Sequence, residues 1–350
     1  MLKKLSKVSV VGHFGIGENL LNGQTVKTKI ITTELERRFG KGEVIKTDTH
    51  GGIKKLLTMP FALFGVLKKC KNVIIFPAHN GLRIIAPILV VENMFFRRKL
   101  HYVVIGGWLT EFLKSRKLLA YVLKKFDCIY VETNTMKKAL ELQGFSNIMV
   151  MPNCKELKIL KEDELVYSTD KPYKLCTFSR VMKEKGIEDA INAVKYVNEK
   201  YNETVFNLDI YGQIDSNQTE WFENLKKTFP GYINYGGCVD FDKSTDVLKD
   251  YLALLFPTHF YTEGIPGTII DAYAAGVPVI SSRWESFVDV IDDNESGFGY
   301  DFSNREHLIE LLLKIAENPN ANINLKVNCI KRAKTFLTSN VIETMVNRMV

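Results

Sequence analysis

The stretch that decides the fold, FPTHFYTEGIPGTIIDAYAAGVPVISS, runs from Phe256 to Ser282. It continues the apolar run YLALLF, which predicts a buried strand that ends near Pro257. Residues 268–275 predict a short helix, Gly276 predicts its left-handed end, and VPVIS predicts the next buried strand. This order directs the N–H groups of a helix N-terminus into the space beyond the carboxyl end of a strand. Open α/β sheets hold phosphates there, so we predict a site for a phosphate-bearing ligand.

The rest of the chain alternates predicted strands and helices in two series. The first series begins with KVSVVG (7–12), and the second begins with KLCTFSR after the charged, irregular segment 155–173. This alternation predicts parallel sheets with helices on both faces, and 350 residues favour two domains over one. We predict doubly wound domains at 1–155 and 156–330 with a substrate cleft between them. A C-terminal helix at 331–350 is expected, with a return to the first domain as one arrangement.

Composition is that of an ordinary soluble globular protein, with 46% hydrophobic and 25% charged residues. The six cysteines form no C-x-x-C pair, which argues against a zinc site or a disulfide framework and fits a reducing cytoplasm. The start MLKKLSKVSVVG predicts a first strand rather than a signal peptide. The apolar runs are far shorter than the roughly 20 residues of a membrane-spanning helix. We therefore expect a cytoplasmic protein.

Charge is distributed unevenly along the chain. Residues 1–150 contain 25 Lys and Arg against 10 Asp and Glu, a net charge of +15, whereas the remainder carries −8. The segment IKKLLTMPFALFGVLKKCK (53–71) predicts an apolar helix with lysines at both ends, interrupted near Pro60, and FFRRK and KSRK add basic clusters. Either this surface docks on an anionic membrane leaflet, or 53–71 is a core helix with solvated ends. Nucleic-acid binding is disfavoured because no aromatic-basic motif or recognition helix accompanies the charge.

Arg180 and Lys185 lie in the loop that follows the strand KLCTFSR, with Gly186 just before the next predicted helix. Positive charge at this position suits a pyrophosphate, and glycine lets the backbone approach it closely. The alternative is a solvated basic loop. We favour the pyrophosphate because this crossover lies in the same domain as the opening stretch.

Two carboxylates, Glu263 and Asp271, frame the opening stretch eight positions apart. Each has a structural alternative. Thr268 and Asp271 fit a T-x-x-D capping box, which would leave Asp271 with no role beyond the helix end. Glu263 would then be one more loop carboxylate.

Together these stretches resemble retaining glycosyltransferases of family 4, whose fold is GT-B, with two facing Rossmann-like domains and an interdomain cleft. EGIPGTIIDAYAAGVPVISS is similar to the family's E-x7-E region, with Asp271 in place of the second Glu. SRVMKEKG resembles its G-R-x-x-x-x-K-G loop, with Ser179 in place of Gly. MPN (151–153) resembles its P-N-G, and LDIYGQ its strand that ends in the base-pocket glycine Gly212. The resemblance covers residues 150–300 and is weaker over 1–140.

The resemblance implies roles for these residues. Arg180 and Lys185 would neutralise the donor diphosphate, and Glu263 would bind sugar hydroxyls and favour an oxocarbenium-like state, so these three are the catalytic candidates. Asp271 would accept hydrogen bonds from the ribose hydroxyls. The implied donor-binding residues are Gly15, Gly23, Asn153, Gly212, Gly264, Ile265, Pro266, Gly267, Thr268 and Asp271. No metal and no cofactor are expected, because the nucleotide sugar is a substrate and Asp240-Phe241-Asp242 suits a turn.

The first domain offers acceptor-side candidates. Its glycine-rich loop after the first strand lacks G-x-G-x-x-G spacing, which disfavours a nicotinamide site. Lys27 would add charge there or lie in solvent. Gly107 and Trp108 stand where many relatives carry a cleft histidine, with His79 and His13 as alternatives. Trp108 would stack on a sugar face or lie in the core.

The resemblance implies transfer of a hexosyl unit from a nucleotide diphosphate sugar, UDP favoured, to a glycan or lipid-linked oligosaccharide. Capsular, exo- or lipopolysaccharide synthesis at the inner face of the membrane is the expected setting. Two alternatives stay open: a sugar-nucleotide epimerase of the same architecture, and a non-catalytic nucleotide-sugar binding module. The sequence does not identify the sugar, the acceptor or the linkage.

Overall fold

The structure, a computed structural model, describes residues 6–17, 23–167 and 170–349. The chain forms two compact units. The first unit holds the described residues up to Glu156 together with those from Phe336 onward, and the second unit spans Leu157–Thr335. The glycine-rich loop predicted after the first strand falls partly on residues 18–22, which lie outside the described residues.

The first unit is built on six parallel strands. They are β1 (Ser6–Gly12), β2 (Val44–Asp48), β3 (Cys70–Ile75), β4 (Lys99–Val103), β5 (Cys128–Val131) and β6 (Ile148–Val150). The helices between them are α1 (Gly23–Phe39), α2 (Gly52–Lys69), α3 (His79–Asn93), α4 (Leu109–Lys114), α5 (Lys117–Leu123) and α6 (Asn134–Leu142). The order across the sheet is β2-β1-β3-β4-β5-β6.

The second unit repeats this plan. Its strands are β7 (Tyr173–Phe178), β8 (Phe206–Tyr211), β9 (Ile233–Gly237), β10 (Ala253–Phe256), β11 (Val279–Ser282) and β12 (Gly297–Tyr300). Its helices are α7 (Ile187–Tyr201), α8 (Thr219–Lys226), α9 (Ser244–Leu248), α10 (Gly267–Ala274), α11 (Phe287–Val290), α12 (Arg305–Glu317), α13 (Asn320–Ile323) and α14 (Lys326–Ala333). The strand order is β12-β11-β10-β7-β8-β9, and the predicted doubly wound α/β class is confirmed. Two last helices, α15 (Thr338–Val341) and α16 (Glu343–Met349), belong to the first unit.

Strand residues of the first unit alternate between two apolar layers, as the two-residue period of a strand requires. Val73 and Ile75 of β3 join the layer formed by α2, α3, α4, α5 and α6. Ile74 joins the opposite layer, which contains α1 and residues of α15 and α16. The sheet is thus covered on both faces, as is usual for parallel sheets.

Two local predictions were wrong. The helix at 53–71 is not interrupted at Pro60, because α2 runs through it without a break. Residues 294–300, predicted as a turn, contain β12, whose Gly297 pairs with Val279 of β11. A Cβ at Gly297 would lie 2.1 Å from the carbonyl oxygen of Val279, so only glycine fits this approach.

Each sheet has one point at which neighbouring strands send their chains to opposite faces. In the second unit this switch point lies between β7 and β10, which pair in parallel. In the first unit it lies between β1 and β3, since β2 and β3 flank β1. Open α/β sheets bind ligands beyond the carboxyl ends of the strands at such points. The two switch points are therefore the places to look for function.

Replacing Met345 tests the packing of the C-terminal helices on the first unit. Met345 of α16 is fully buried in the layer with α1, and we expect Met345→Ala to lower the free energy of unfolding by about 2–5 kcal/mol. Urea unfolding measured by circular dichroism checks this. The exposed Asn347→Ala serves as control and should change stability by no more than about 0.5 kcal/mol. Equal losses of unfolding free energy in the two variants would contradict the packing of Met345 in this apolar layer.

Candidate functional site

The loops that follow β7 and β10 meet at the switch point of the second unit. Gly186 adopts a left-handed conformation (φ +69°), and a Cβ there would lie 1.9 Å from the carbonyl oxygen of Pro257. The backbone N–H of His259 donates to the carbonyl of Glu184 over 2.9 Å. These two contacts fasten the loop 179–186 to the loop 257–266, so the side chains of both loops share one site.

An ion pair joins the two loops at their centre. The ammonium of Lys185 contacts the Oε1 atom of Glu263, and Thr258 donates its hydroxyl to the same oxygen over 3.1 Å. The Lys185 ammonium also lies 5.3 Å and 5.0 Å from the ring centres of Phe256 and Phe260. The two charged side chains are 17% and 16% exposed, so a ligand can reach them although most of their surface is covered. The structure thus brings these two predicted catalytic residues together.

Arg180, the third catalytic candidate, has a different partner. Its guanidinium lies 3.6 Å from the Oδ2 atom of Asp215, and its side chain is 51% exposed. The loop it belongs to is held against β8, because a Cβ on Gly212 would lie 1.8 Å from the carbonyl oxygen of Ser179. Arg180 is therefore an exposed cation paired with Asp215, and in the part of the chain described here it contacts neither Lys185 nor Glu263.

Helix α10 starts immediately after the Glu263 loop. It begins at Gly267 with Pro266 as N-cap, and no side chain caps it. Thr268 lies inside the helix, so the capping box of Thr268 with Asp271 is wrong. The N–H groups of Gly267 and Thr268 belong to the first turn, which has no intrahelical acceptors for them. The hydroxyl of Thr268 is buried and, among the described residues, finds no hydrogen-bond partner. These donors suit an anion.

Asp271 lies one turn further along α10 and is almost completely covered. It is 4% exposed, and Ser244 at the start of α9 donates to its Oδ1 atom over 3.3 Å. The two acids of the opening stretch therefore differ in access: Glu263 borders the open site, and Asp271 lies behind it. Gly264 and Ile265, between them, are buried.

Sequence patterns did not reveal three residues that support this site. Thr258 and Ser244 bind its two carboxylates from neighbouring segments. Lys326 of α14 is buried and donates to the carbonyl of Tyr251 over 3.1 Å and to that of Gly276, just after α10, over 3.4 Å. Burial lowers the pKa of Lys326 to about 8. Ser244 and Lys326 carry no motif, because each acts on a segment distant in sequence, and Thr258 fits no motif although Glu263 is only five residues away.

The switch point of the first unit holds a cavity of about 330 Å³. Its lining residues are His13, Gln24, Thr49, Gly52, Met59, Pro77, Ala78, His79, Asn80, Gly81 and Ile85. His13 bonds through Nδ1 to the hydroxyl of Thr25 over 2.7 Å and through Nε2 to Nδ1 of His50 over 3.0 Å. His13 thus borders the cavity, and its imidazole is held by Thr25 and by the ring of His50. Nothing in the sequence paired His13 with His50.

The carboxylate of Asp48 holds the loop that follows His13. Asp48 accepts hydrogen bonds from the backbone N–H groups of Phe14 and Ile16 over 2.9 and 3.0 Å, on either side of Gly15 (φ +58°). Burial raises the pKa of Asp48, but backbone N–H donation outweighs it and leaves this pKa below its ordinary value. Asp48 is therefore the anion that fixes the position of Gly15.

Of the acceptor-side candidates, His79 lines the cavity directly. Its ring stacks on Trp108, with centroids 3.9 Å apart and planes at 29°. Burial, and then the cation of Arg116, lowers the pKa of His79, which favours the neutral imidazole. Trp108 donates its indole N–H to the carbonyl of Ile105 over 2.8 Å, and it packs on the apolar layer. Trp108 thus supports His79 by stacking, and neither Trp108 nor the buried Gly107 lines the cavity.

Three predicted residues remain to be placed, of which Gly23 and Lys27 lie elsewhere than predicted. Gly23 is the first residue of α1 and not part of a loop. Lys27 is neither solvated nor placed for a phosphate, because it is buried and pairs with Glu132 at 2.6 Å. Asn153 follows β6 and accepts a hydrogen bond from the N–H of Cys154 over 3.0 Å.

The family model for glycosyl transferases group 1 matches residues 161–336, just over half of the 350 residues. The chain belongs to this family. A curated relative, an uncharacterized glycosyltransferase of Methanocaldococcus jannaschii, is 24% identical over 231 residues. This match covers 63% of the chain but only 56% of the relative. The match to the family contains the whole candidate site of the second unit.

Two solved structures have the same fold. One is HepE of Anabaena in complex with UDP and glucose, with a TM-score of 0.73, 10% identity and 98% of both chains covered. The other is the lipopolysaccharide outer core galactosyltransferase WaaB in its apo form, with a TM-score of 0.71, 14% identity and 98% of both chains covered. The predicted GT-B class, with two doubly wound parallel sheets, is thereby confirmed.

Removing the charge of Glu263 tests whether it competes with an anion for Lys185. We expect Glu263→Gln to raise the affinity for UDP, which has the diphosphate but no hexosyl unit, by roughly 3–10-fold, or about 0.7–1.4 kcal/mol. The amide still accepts from Thr258 but no longer neutralises the ammonium. Isothermal titration of the variant checks this, with the exposed Glu295→Gln as control. A lower UDP affinity of Glu263→Gln would contradict the competition.

Proposed function

We propose that the protein is a retaining glycosyltransferase that moves a hexosyl unit from a nucleotide diphosphate sugar, UDP favoured, to a glycan or lipid-linked oligosaccharide. The observation that carries this proposal is the accessible Lys185–Glu263 pair beside the open N-terminus of α10. A cation, free amides and a carboxylate at one switch point match a diphosphate joined to a sugar. Membership of the glycosyl transferases group 1 family supports the same reading.

In the proposed donor complex, Lys185 exchanges its contact with Glu263 for the diphosphate. The amides of Gly267 and Thr268 take the distal phosphate, and the exposed cation Arg180 closes over the charge that grows as the glycosidic bond breaks. Glu263, released from the ammonium, accepts hydrogen bonds from sugar hydroxyls. In this proposal the leaving diphosphate is stabilised by two cations, Lys185 and Arg180, and by the first-turn amides of α10.

We infer that transfer retains the anomeric configuration without a protein nucleophile. In the family that the motifs resemble, the acceptor hydroxyl attacks from the face of the leaving group, and a donor phosphate oxygen takes its proton. Glu263 suits the support of positive charge on the sugar, since the Thr258 hydroxyl still holds its carboxylate after Lys185 has moved to the diphosphate. No metal and no cofactor enter this proposal, because the protein's own cations face the diphosphate.

For the acceptor we propose the cavity at the switch point of the first unit. Its mixed lining, with two histidines and the apolar side chains of Met59 and Ile85, suits a sugar with one polar edge and one apolar face. His79, kept neutral, can accept a hydrogen bond from an acceptor hydroxyl. The solved structure of a lipopolysaccharide galactosyltransferase with the same fold supports an acceptor from polysaccharide assembly.

We further place the protein in the cytoplasm, at the inner face of the membrane, and without a nucleic-acid partner. The net charge of +15 over residues 1–150 supports attraction to anionic lipid, and a lipid-linked acceptor would be presented there.

The decisive experiment incubates the protein with radiolabelled UDP-sugars, with and without lipid-linked oligosaccharide. Release of UDP that needs the acceptor, together with label in the glycan, is the expected result. Conversion of the donor to its epimer without acceptor would favour the epimerase, and binding without any conversion would favour a binding module. Product anomers resolved by nuclear magnetic resonance test retention separately.

Of the two lysines in its short turn, Lys185 should contribute far more than Lys183 to kcat/KM. We expect Lys185→Ala to lower kcat/KM by about 10²–10³-fold, which corresponds to about 2.7–4 kcal/mol of transition-state stabilisation. The matched control is Lys183→Ala in the same short turn, since Lys183 lies over the ring of Trp221. Steady-state kinetics with saturating acceptor check this. Equal losses in both variants would contradict the role of Lys185.

Asp271 should act in ground-state binding of the donor. Because it lies behind the open site and is held by Ser244, we expect Asp271→Asn to raise the donor KM several-fold with little change in kcat. Ser244→Ala should shift KM in the same direction and by less. A fall in kcat with unchanged KM would show instead that Asp271 acts on the transition state.

A further inference from the structure

Helix α2 carries a row of large apolar side chains that face outward. Leu57, Phe61 and Phe64 are exposed, Phe61 to 82%, and they are four and three residues apart. This spacing places them on one side of the helix. The opposite side, with Met59 and Leu63, is buried in the apolar layer on the sheet. Helix α2 is therefore apolar on both sides. The outer side of a surface helix is normally polar, so the apolar outer side of α2 indicates a binding surface.

The row continues on two neighbouring elements. The end of α3 exposes Val91 together with Met94 and Phe95 just after it, and α5 exposes Leu118 and Tyr121. Because α2, α3 and α5 all pack on the same face of the sheet, their outward sides form one continuous surface.

A ring contact joins the parts of this surface. Phe64 of α2 meets Phe96, after α3, edge to face with centroids 5.0 Å apart. The guanidinium of Arg98 donates to the carbonyl of Leu67 over 2.9 Å. We call the surface formed by Leu57, Phe61, Phe64, Val91, Met94, Phe95, Leu118 and Tyr121 the outer face. Most of the exposed large apolar residues described in the first unit lie on it, and such a grouping of exposed apolar side chains is typical of a binding surface.

Cations surround the outer face. Lys68 and Lys69 end α2, and Arg97 and Arg98 follow α3. Beside Leu118 a cavity of about 410 Å³ is lined by Leu113, Lys114, Lys117, Ala120, Tyr121, Lys124 and Gln143. Its lining contains three ammonium groups and no carboxylate, although Glu111 pairs with Lys114 from outside. This charge pattern matches a surface of phosphates.

We propose that the outer face docks on an anionic phospholipid bilayer, with the apolar rows in the headgroup–acyl boundary and a lipid phosphate in the cavity of Lys114, Lys117 and Lys124. Aromatic and leucine side chains next to basic residues are the composition of interfacial helices, and each cation near an anionic leaflet adds about 1 kcal/mol of attraction. Among the described residues no helix has the length and apolar character to cross a membrane. The contact is therefore peripheral, and it deepens the membrane setting of the proposed function.

The test is co-sedimentation of the full chain with vesicles of phosphatidylcholine, with and without phosphatidylglycerol, in the absence of donor and acceptor. We expect binding only to the anionic vesicles, weakened by salt. Phe61→Ser with Phe95→Ser, and separately Lys114→Gln with Lys117→Gln, should each lower the bound fraction at least roughly tenfold. The first pair removes two apolar side chains that the bilayer would bury, and the second removes two cations that attract the lipid phosphates. The matched control Tyr196→Ser, at an exposed position of α7 in the second unit, should bind like the original protein.

Two outcomes would overturn the proposal. One is equal binding of the outer-face variants and the Tyr196→Ser control. The other is a dimer in solution that Phe61→Ser with Phe95→Ser dissociates, which would assign the outer face to a second copy. Transfer to a water-soluble acceptor analogue should be unchanged in the outer-face variants. Loss of vesicle binding with intact transfer therefore separates this inference from the proposed transferase activity.

Discussion

The candidate site of the second unit depends on the contact between Gly186 and the carbonyl of Pro257. A side chain at residue 186 would lie 1.9 Å from that oxygen, so the approach of the two loops needs glycine. Their separation determines whether the ammonium of Lys185 reaches the carboxylate of Glu263. In a site of this kind, a misplacement of about 1 Å can lower the rate on the order of 10²-fold. The distance between the backbones of the two loops therefore decides whether their charged side chains can meet.

Strand order explains why the contact occurs between these loops. β7 and β10 are adjacent in the sheet, although the chain visits β8 and β9 between them. Their following helices leave toward opposite faces, which opens the space beyond their carboxyl ends. The first unit obeys the same rule with other residues: His13 and His79 follow β1 and β3 and border one cavity. One topological rule therefore locates both proposed binding sites, and side-chain chemistry distinguishes phosphate from hydroxyl recognition.

The sequence predicted the local course of β10, α10 and β11 well, because glycine and proline punctuate it at Pro266 and Gly276. It failed where distant segments decide the structure. β12 was missed since glycine-rich GFGY lacks strand propensity, and only its close approach to β11 makes glycine necessary. The Ser244–Asp271 hydrogen bond joins two helices 27 positions apart. No periodicity or motif encodes such a pair, and the capping box offered a plausible but wrong local partner.

The first and second units each contain a lysine–glutamate ion pair, and the two pairs differ in how deeply they are buried. Lys27 and Glu132 are each 2% exposed, and Lys27 also donates to the carbonyl of Val104. This pair joins α1 to the ends of β4 and β5. A ligand that replaced one of its partners would leave the other charge buried and unpaired, which costs several kcal/mol. Lys185 and Glu263 keep part of their surface open, so the exchange with a diphosphate that we propose leaves neither charge fully buried. The first pair is therefore structural, and the second has the access to solvent that the proposed exchange requires.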